Sequence, residues 1–557
     1  MQQQDPQLSE LRLFQEEKTS QPCEQVERNG HSHKQERRTG ETVTLPVIEP
    51  RLPRAAAHSE QPGGRQSATV IETNKWLVFG ILAIGVFMAT LDGSIVNISL
   101  PAIANYFHVP LNGAVEWVTI AYLVTTASML LTAGRLADMV GQKPVWLLGL
   151  VIFTFGSAIC GAAPSLLFLV IARGFQGIGG ALMMAISPAM LTSAFPPSER
   201  GRALGLNAIN VALGVSVGPT VGGLITTSLS WRWIFYVNVP VGIIGLLATW
   251  FLLKERHAQR QGRFDPLGAL TLGLGLAGIT LALSFGQELG WFSPFVMVSL
   301  LGGLAALIAL YFIEQRVAYP VIDFSLLRRR VFLSANISLI LCFMSLFAVS
   351  FLMPFYLEQL HGFPTEVAGL LLTPLPITLA CVAPLSGSLA DRIGSRWLAA
   401  TGLAISCLGL ILLGQLNAHS SIWDIIWRLV VTGMGQAIFQ SPNSSALMGD
   451  APREQQGSAS GFLATGRTMG QSISVALAGA VFTSLGGADA GLQLVMLRAH
   501  GALSAARAGA LEQTFSHAFQ SAFLVCALIA AIGVGTSLVR GKEERRRHQA
   551  GLTELSH

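Results

Sequence analysis

The chain has 557 residues, of which 51% are hydrophobic and 12% are charged, and its formal net charge is +5. An average soluble domain carries about a quarter charged residues, so this composition excludes an ordinary soluble enzyme. The apolar content is also too high for a disordered chain. Uncharged apolar runs such as 145–163 are long enough to cross a bilayer, which indicates a polytopic integral membrane protein.

Residues 1–74 form a polar segment that we expect to be a disordered cytoplasmic tail, because it has no long apolar run. It lacks the pattern of a signal peptide, so no cleavage is expected. Two roles stay open for it, a regulatory or partner-binding segment and a plain solubilising extension. The six cysteines show no CxxC and no ligand-like clustering, so the sequence predicts neither a metal site nor a disulfide framework.

Fourteen apolar spans follow the tail, and each is long enough for a hydrocarbon core about 30 Å thick. Only helices satisfy every backbone polar group within a single span, so the predicted fold class is an all-α polytopic membrane protein with 14 transmembrane helices. The predicted spans are 76–98, 113–133, 144–163, 166–187, 203–226, 233–253, 266–286, 292–313, 332–355, 365–389, 397–416, 422–447, 458–485 and 517–539.

The Lys and Arg residues predict the orientation of the chain. With a cytoplasmic N-terminus, 30 of the 36 lie in the tails and the inner loops, and three lie in outer loops. This positive-inside bias predicts a multi-pass protein with both termini in the cytoplasm. The basic tail 540–557 is expected to lie against anionic lipid headgroups or to act only as a topological anchor.

One loop sequence occurs twice. The segment GRLADMVGQK at 134–143 returns 253 residues later as GSLADRIGSR at 387–396. Both copies fall between the second and third spans of a six-span set. The sequence therefore predicts two similar six-helix halves, 75–254 and 332–539, with a pair of transmembrane helices inserted between them in 255–331.

These features resemble the major facilitator superfamily, and more narrowly its fourteen-helix drug:proton antiporter family (EmrB/QacA-like), over about 76–540. Beside the doubled loop, LDGSIVN at 91–97 resembles the first-helix motif and RGFQGIGG at 173–180 resembles the fourth-helix motif. The N-half loop departs from the family pattern at Met139, where a basic residue is usual. The glycine face of span 5 resembles the antiporter motif, and its residues are Gly214, Gly218, Pro219, Gly222 and Gly223.

Asp92 is a carboxylate well inside an N-half span, and an intramembrane carboxylate is a functional candidate because its ionised form is costly there. At 1.5 Å per residue, Asp92 and Arg173 both lie about 9–10 Å from the outer surface. We therefore expect them to pair, directly or through water. Protonation of Asp92 would then release Arg173 as a coupling switch, and the alternative is a fixed structural ion pair.

Other polar side chains within the spans are candidates for a substrate cavity. Arg428 corresponds by repeat to Arg173. Arg467 lies near mid-membrane without an obvious carboxylate partner, and an anionic substrate, a cluster of backbone carbonyls and the other half stay open as its contact. The cavity candidates are Asn97, Tyr122, Gln176, Asn210, Asn336, Arg428, Gln436, Gln440 and Arg467.

The doubled loop supplies candidates for a gate at the inner surface. Asp138 and Asp391 each precede a helix start, where a carboxylate favours the positive helix end. We expect contacts with basic residues of the loops that break on opening. The resemblance also implies that the glycine face of span 5 meets span 10. The gate candidates are Gly134, Asp138, Gly141, Lys143, Gly387, Asp391, Arg392, Gly394 and Arg396.

The resemblance implies a secondary transporter rather than an enzyme, exporting amphipathic molecules across the plasma membrane by alternating access and driven by the proton gradient. Its expected partners are the substrate, protons and the lipid bilayer, with no nucleic acid and no cofactor. No GxxxxGK[ST] segment occurs, so ATP hydrolysis is not expected. Two alternatives stay open: a dedicated exporter of one anionic metabolite, lipid or siderophore, and a non-transporting receptor on the same fold. The use of a periplasmic adaptor also stays open.

Overall fold

The computed structural model describes residues 70–71, 73–109, 115–256, 264–286, 289–317, 320–322, 324–500 and 505–540. Within these ranges the chain is helical apart from short connections and two two-residue strands, β1 (Val70–Ile71) and β2 (Glu255–Arg256), which pair antiparallel. The predicted tail 1–74 lies almost wholly outside the described residues. The basic tail 540–557 lies outside them except for Arg540.

The helices are grouped, in chain order, into a first half, an inserted pair and a second half. The first half contains α1 (Lys75–Phe107), α2 (Trp117–Val140), α3 (Gln142–Gly161), α4 (Leu166–Ala194), α5 (Arg200–Ser228), α6 (Trp233–Tyr236) and α7 (Asn238–Leu252). The inserted pair is α8 (Pro266–Phe285) and α9 (Pro294–Glu314), and the short α10 (Phe324–Arg328) follows it. The second half contains α11 (Arg330–Phe355), α12 (Thr365–Leu372), α13 (Pro374–Ile393), α14 (Ser395–Gly414), α15 (Ile422–Asp450), α16 (Gln456–Ser484), α17 (Gly487–Ala499) and α18 (Ala505–Val539).

The all-α membrane class is confirmed. In the described ranges, 12 helices or helix pairs are long and apolar enough to cross a membrane, and the bent pair α16–α17 makes 13. Helix α5 is also 29 residues long, but its sequence is richer in glycine and asparagine and therefore less apolar. With α5, the long helices correspond one to one with the fourteen predicted spans.

Several helices extend beyond the predicted spans. Helix α1 continues past the predicted end at 98 to Phe107, with Pro101 inside it, and α18 begins at Ala505 rather than at 517. Helix α17 has no predicted counterpart, and it leaves α16 at an angle of 69° after Gly486. Hydropathy detects the apolar part of a helix, so polar helical turns beyond the hydrocarbon core escape it.

Each half has its own apolar core. Trp146 and Phe153 are fully buried in the first half, and Tyr356 and Phe519 are fully buried in the second. The inserted pair α8–α9 is joined by close glycine contacts, since a Cβ on Gly278 would crowd backbone atoms of α9. Outside this pair, helix α8 packs chiefly on α2 and also contacts α16, so the inserted pair lies against the first half and touches the second.

The two halves meet at the end of the molecule that carries the repeated loops 134–143 and 387–396, which we call the motif end. There α2 packs on α16 and α5 packs on α13. A Cβ on Gly134 would overlap the carbonyl oxygen of Gly457, and a Cβ on Gly387 would overlap that of Gly201. Glycine thus allows the backbones to touch at two equivalent crossings, and this conformation is closed at the motif end.

Replacing Gly134 by alanine should loosen the closed motif end. The added methyl meets backbone atoms of Gly457, which cannot rotate away, and overpacking of this kind costs about 1–3 kcal/mol. A Ser460→Cys reporter is suitable because Ser460 is fully buried and donates its hydroxyl hydrogen to the carbonyl oxygen of Ala185 in the other half. Site-resolved mass spectrometry should show N-ethylmaleimide reacting roughly tenfold faster with this reporter in Gly134→Ala.

Gly80→Ala is the matched control, because a Cβ on Gly80 meets nothing within 4 Å. It should leave the alkylation rate of the reporter unchanged. Equal rates in the two glycine variants would show that the crossing does not hold the motif end closed.

Candidate functional site

An ion pair joins α1 to α4 inside the first half. Arg173 donates from Nη1 to Oδ2 of Asp92 at 2.5 Å, and both side chains are fully buried. The glycines after Arg173 let α2 approach α4 closely, since a Cβ on Gly177 or Gly180 would crowd Tyr122. The structure therefore brings the two predicted proton-coupling residues into direct contact.

The second carboxylate oxygen of Asp92 binds two amides. Gln176 donates from Nε2 to Oδ1 at 3.0 Å, and Asn238 donates from Nδ2 to the same oxygen at 2.8 Å. Ser157 accepts a hydrogen bond of 3.1 Å from each of these amides. It donates in turn to the carbonyl oxygen of Phe235 at 2.9 Å. Donors on both oxygens hold the carboxylate in one position.

The guanidinium of Arg173 is held from several sides. Its Nε donates to the carbonyl oxygen of Val118 at 3.0 Å, and its Nη1 also donates to Oε1 of Gln176 at 2.7 Å. Its Cζ lies 4.2 Å from the ring centroid of Tyr122, in a cation–π contact. Within the described part of the chain, Nη2 is buried and has no hydrogen-bond partner. The pair is therefore well compensated but retains one unused donor.

This network belongs to the first half alone. Tyr122 and Gln176, which were predicted to line a substrate cavity, are buried around the ion pair in this conformation and line neither of the two cavities described below. Asn238 and Ser157 are functional candidates that the sequence reasoning missed. The available signal was a lone amide, Asn238, at the start of the otherwise apolar α7.

A small space lies between the halves close to the motif end. A cavity of about 30 Å³ is lined by Asn207 from the first half and by Gln440, Ser444 and Arg467 from the second, together with apolar side chains. That volume accommodates water but is about tenfold below the 300 Å³ or more that drug-sized ligands need. A substrate of that size fits this cavity only after the halves have moved apart.

Two predicted cavity residues make local contacts instead. Asn97 is exposed and accepts a hydrogen bond of 3.1 Å from Thr119. Asn210 donates from Nδ2 to the carbonyl oxygen of Ala83 at 2.9 Å, which ties α5 to α1. Neither residue lines the small space between the halves.

The other predicted cavity residues lie on the second half. Asn336 lines a separate, largely apolar cavity of about 240 Å³ between α2, α11 and α16. Gln436 is half-buried on α15. Arg428 lies over the ring of Trp427 at 5.3 Å, and its Nε and Nη1 are buried without a hydrogen-bond partner in the described residues.

Asp138 lies in the last turn of α2 and caps the start of α16. Its carboxylate accepts hydrogen bonds from the backbone N–H groups of Gly457 at 2.7 Å and Ser458 at 2.8 Å, and from the Ser458 hydroxyl at 2.6 Å. The prediction that Asp138 serves the helix that follows it in sequence is wrong. Glu255 already occupies the start of α3, where it accepts from two backbone N–H groups at 2.9 and 2.7 Å.

Lys143 also makes a different contact from the one predicted. Its Nζ donates to the carbonyl oxygens of Trp250 at 3.2 Å and Leu253 at 2.6 Å, at the end of α7. A cation there is stabilised by the negative end of the helix. Gly141 and Gly394 precede α3 and α14 with φ of +109° and +97°, a backbone conformation that glycine adopts most readily.

The second copy of the loop is described in part. Arg392 is exposed, and the Cζ of Arg396 lies 5.4 Å from the ring centroid of Trp397. The side chain of Asp391 lies outside the described residues. The close approach of Gly387 to Gly201 therefore supplies the described contact of this copy with the first half.

The glycine face of α5 packs on α1, not on the predicted span 10. A Cβ on Gly214 would overlap Thr90, and a Cβ on Gly218 would overlap Ser94. Helix α5 meets α13 nearer the motif end, at Gly205, so the two helices have diverged before the motif glycines are reached. Of the other motif residues, Gly222 is buried, a Cβ on Gly223 would meet nothing within 4 Å, and the Pro219 side chain lies outside the described residues.

The structure contains two six-helix halves that meet at the motif end. This architecture is that of a large class of membrane transporters. Residues 82–270, 264–475 and 336–556 match the family model described as Major Facilitator Superfamily. The chain belongs to the major facilitator superfamily.

Its relatives include transporters with different named substrates. The riboflavin transporter RibZ of Clostridioides difficile (strain 630) is 36% identical over 414 residues, which are 74% of this chain and 88% of that protein. The multidrug resistance protein Stp of Mycobacterium tuberculosis (strain CDC 1551 / Oshkosh) is 33% identical over 402 residues, 72% of this chain and 74% of that protein. Such relatives are consistent with a drug-efflux member of the superfamily.

The fold also matches solved structures. The human organic anion transporter MFSD10 gives a TM-score of 0.58 at 16% identity, covering 83% of this chain and 99% of that chain. The proton:xylose symporter XylE gives 0.55 at 14% identity, covering 83% and 94%. At this level of identity the likeness concerns the fold alone.

Removing either member of the ion pair should destabilise the protein to different degrees. Arginine stays charged in proteins, so Asp92→Asn leaves a buried unpaired cation, which costs about 3–5 kcal/mol. Arg173→Met leaves a carboxylate that can take up a proton and keep its bonds to Gln176 and Asn238. We expect the apparent Tm in detergent, measured by tryptophan fluorescence, to fall more in Asp92→Asn than in Arg173→Met.

The double variant should recover part of the loss, because it leaves no buried charge uncompensated. A larger fall in Arg173→Met, or a double variant whose loss equals the sum of the two single losses, would contradict the assigned pairing.

Proposed function

We propose that this protein is a proton-driven antiporter that exports amphipathic small molecules across the plasma membrane. Asp92 carries the transported proton, and Arg173 is the cation that holds Asp92 when the proton is absent. The observation that supports this proposal is the fully buried pair itself, because only its carboxylate member can change charge. A group that changes charge inside the membrane is a natural carrier of coupling.

Protonation of Asp92 would remove the charge that compensates Arg173. The guanidinium would keep its bonds to Val118 and Gln176 but lose its strongest partner. Helices α1 and α4 are joined through this contact, so its loss changes how they pack. Helix α1 in turn packs on α5, and α5 packs on α13 of the other half. A continuous chain of helix contacts therefore links the protonation state of Asp92 to the interface between the halves.

Export by alternating access also requires the motif end to open. The contacts that close it are backbone crossings at glycine and the cap that Asp138 places on α16. Charge-assisted hydrogen bonds at a helix start contribute about 1 kcal/mol each, so the closed state can be reversed by a change of modest size. In this proposal the motif end faces the cytoplasm, as the excess of basic residues there supports.

The proton gradient supplies the energy, so the proposal needs no bound cofactor, and its partners are protons, substrate and bilayer. The multidrug names of relatives support amphipathic substrates. The riboflavin transporter among the relatives supports a second candidate, a dedicated exporter of one compound. The structural observation that favours it is Arg467, a defined cation in the space between the halves.

Efflux of a fluorescent dye from pump-deficient bacteria tests the proposal, with ethidium as a cationic probe and carboxyfluorescein, loaded as its diacetate, as an anionic probe, because the proposal does not fix the charge of the substrate. The wild-type protein should lower cell fluorescence, and a protonophore should abolish that effect. Asp92→Asn should reduce the efflux rate at least tenfold at equal membrane expression, because a neutral amide cannot carry the proton. Asp489→Asn is the matched control, since Asp489 is exposed and lies on α17, outside the network.

Efflux that persists in Asp92→Asn and still stops with the protonophore would place the proton on another group. Efflux that continues at the same rate in the presence of the protonophore would contradict proton coupling. No efflux from the wild-type protein would favour the dedicated exporter.

A further inference from the structure

We propose that the transported molecule carries an anionic group and that Arg467 binds this group. The inference rests on the proposed function, because it names the class of substrate for the same space between the halves. Arg467 lies within α16 and lines that space together with Asn207 and Gln440.

Among the described residues, no acidic side chain compensates the charge of Arg467. The described ion pairs are Lys75–Glu199 and Arg173–Asp92, and in the described residues Arg467 donates no hydrogen bond. Its guanidinium lies over the ring of Phe343, with Cζ 5.3 Å from the ring centroid. A guanidinium inside a membrane protein is costly and cannot lose its proton. A partner that arrives with the substrate resolves this cost.

The three membrane arginines differ in a way that singles out Arg467. Arg173 is neutralised by Asp92 within the first half. Arg428 lies over Trp427 in the first turns of α15. Of the three, Arg467 is the one that lines the space between the halves. A guanidinium also matches the geometry of carboxylate, sulfonate and phosphate groups through two parallel N–H donors.

The remaining lining of this space fits an amphipathic anion. Its described members include no acidic residue, and the polar ones besides Arg467 are Asn207, Gln440 and Ser444. The Oε1 atom of Gln440 is buried and has no hydrogen-bond partner in the described residues, so it can accept from a donor group on the substrate. Apolar side chains such as Phe343 and Leu339 complete the lining and suit a hydrophobic body.

A cationic substrate finds no equivalent site in this space. The deep carboxylate of the first half, Asp92, is fully buried and already accepts three hydrogen bonds. A cation would therefore meet Arg467 without a compensating acid in the lining. Electrostatic complementarity favours an organic anion over an organic cation at this site.

Two dyes with a shared xanthene ring system test this inference in proteoliposomes with an imposed pH gradient. Sulforhodamine B is anionic at every working pH, and rhodamine 6G is cationic. We expect wild-type protein to transport sulforhodamine B, and Arg467→Gln to reduce this rate at least tenfold. Arg467→Lys keeps the charge but loses the planar fork, so an intermediate rate is expected.

Arg316→Gln is the matched control, because it removes the same charge from an exposed position after α9. It should transport sulforhodamine B at the wild-type rate. Gradient-driven transport of rhodamine 6G but not of sulforhodamine B would overturn the inference and leave the proposed function standing. Sulforhodamine B transport that depends on Arg467 but not on the gradient would support the inference and contradict proton coupling.

Fluorescence anisotropy of sulforhodamine B with purified protein decides the case in which neither dye is transported. Binding that Arg467→Gln weakens at least tenfold, and Arg316→Gln does not, supports the inference. Absence of binding, or equal binding to wild type and Arg467→Gln, overturns it.

Discussion

Two opposite charges are buried together in the first half of this protein, and much of that half is arranged to keep them there. Taking both ions out of water is expensive, and their attraction offsets the expense only if further polar groups complete the geometry. Gln176, Asn238 and Ser157 provide those groups, from three different helices. The same constraint makes the pair sensitive, since neutralising Asp92 leaves Arg173 without its main partner.

The two halves share a fold but differ in where their charges lie. In the first half, Arg173 of α4 is neutralised by Asp92 and is fully buried, away from the interface between the halves. In the second half, Arg467 faces the space between the halves without a described acidic partner. Under the two proposals, the first half carries the proton and the second half holds the substrate. Close glycine contacts at Gly134 and Gly387 join the halves at the motif end, so changes in either half affect the same interface.

The sequence predicts features that depend on one helix, and misses those that depend on distant packing. Apolar runs give the spans, and the rise per residue places Asp92 level with Arg173. The true partner of Asp138 is Gly457, 319 residues away, and no local pattern indicates that pairing. The sequence does not identify Asn238 as a functional candidate, because a single amide in an apolar run is a weak signal until its neighbours are known. The helix that packs on the glycine face of α5 depends on the position at which α13 diverges from α5.

The most direct test of the account is whether Asp92 exchanges a proton for substrate. Purified protein in weakly buffered detergent solution, mixed with a transported dye, reports proton release through a pH indicator. The account predicts release from the wild-type protein as substrate binds, and none from Asp92→Asn at saturating dye. Equal release from both proteins, or none from a wild type that binds the dye, would contradict it.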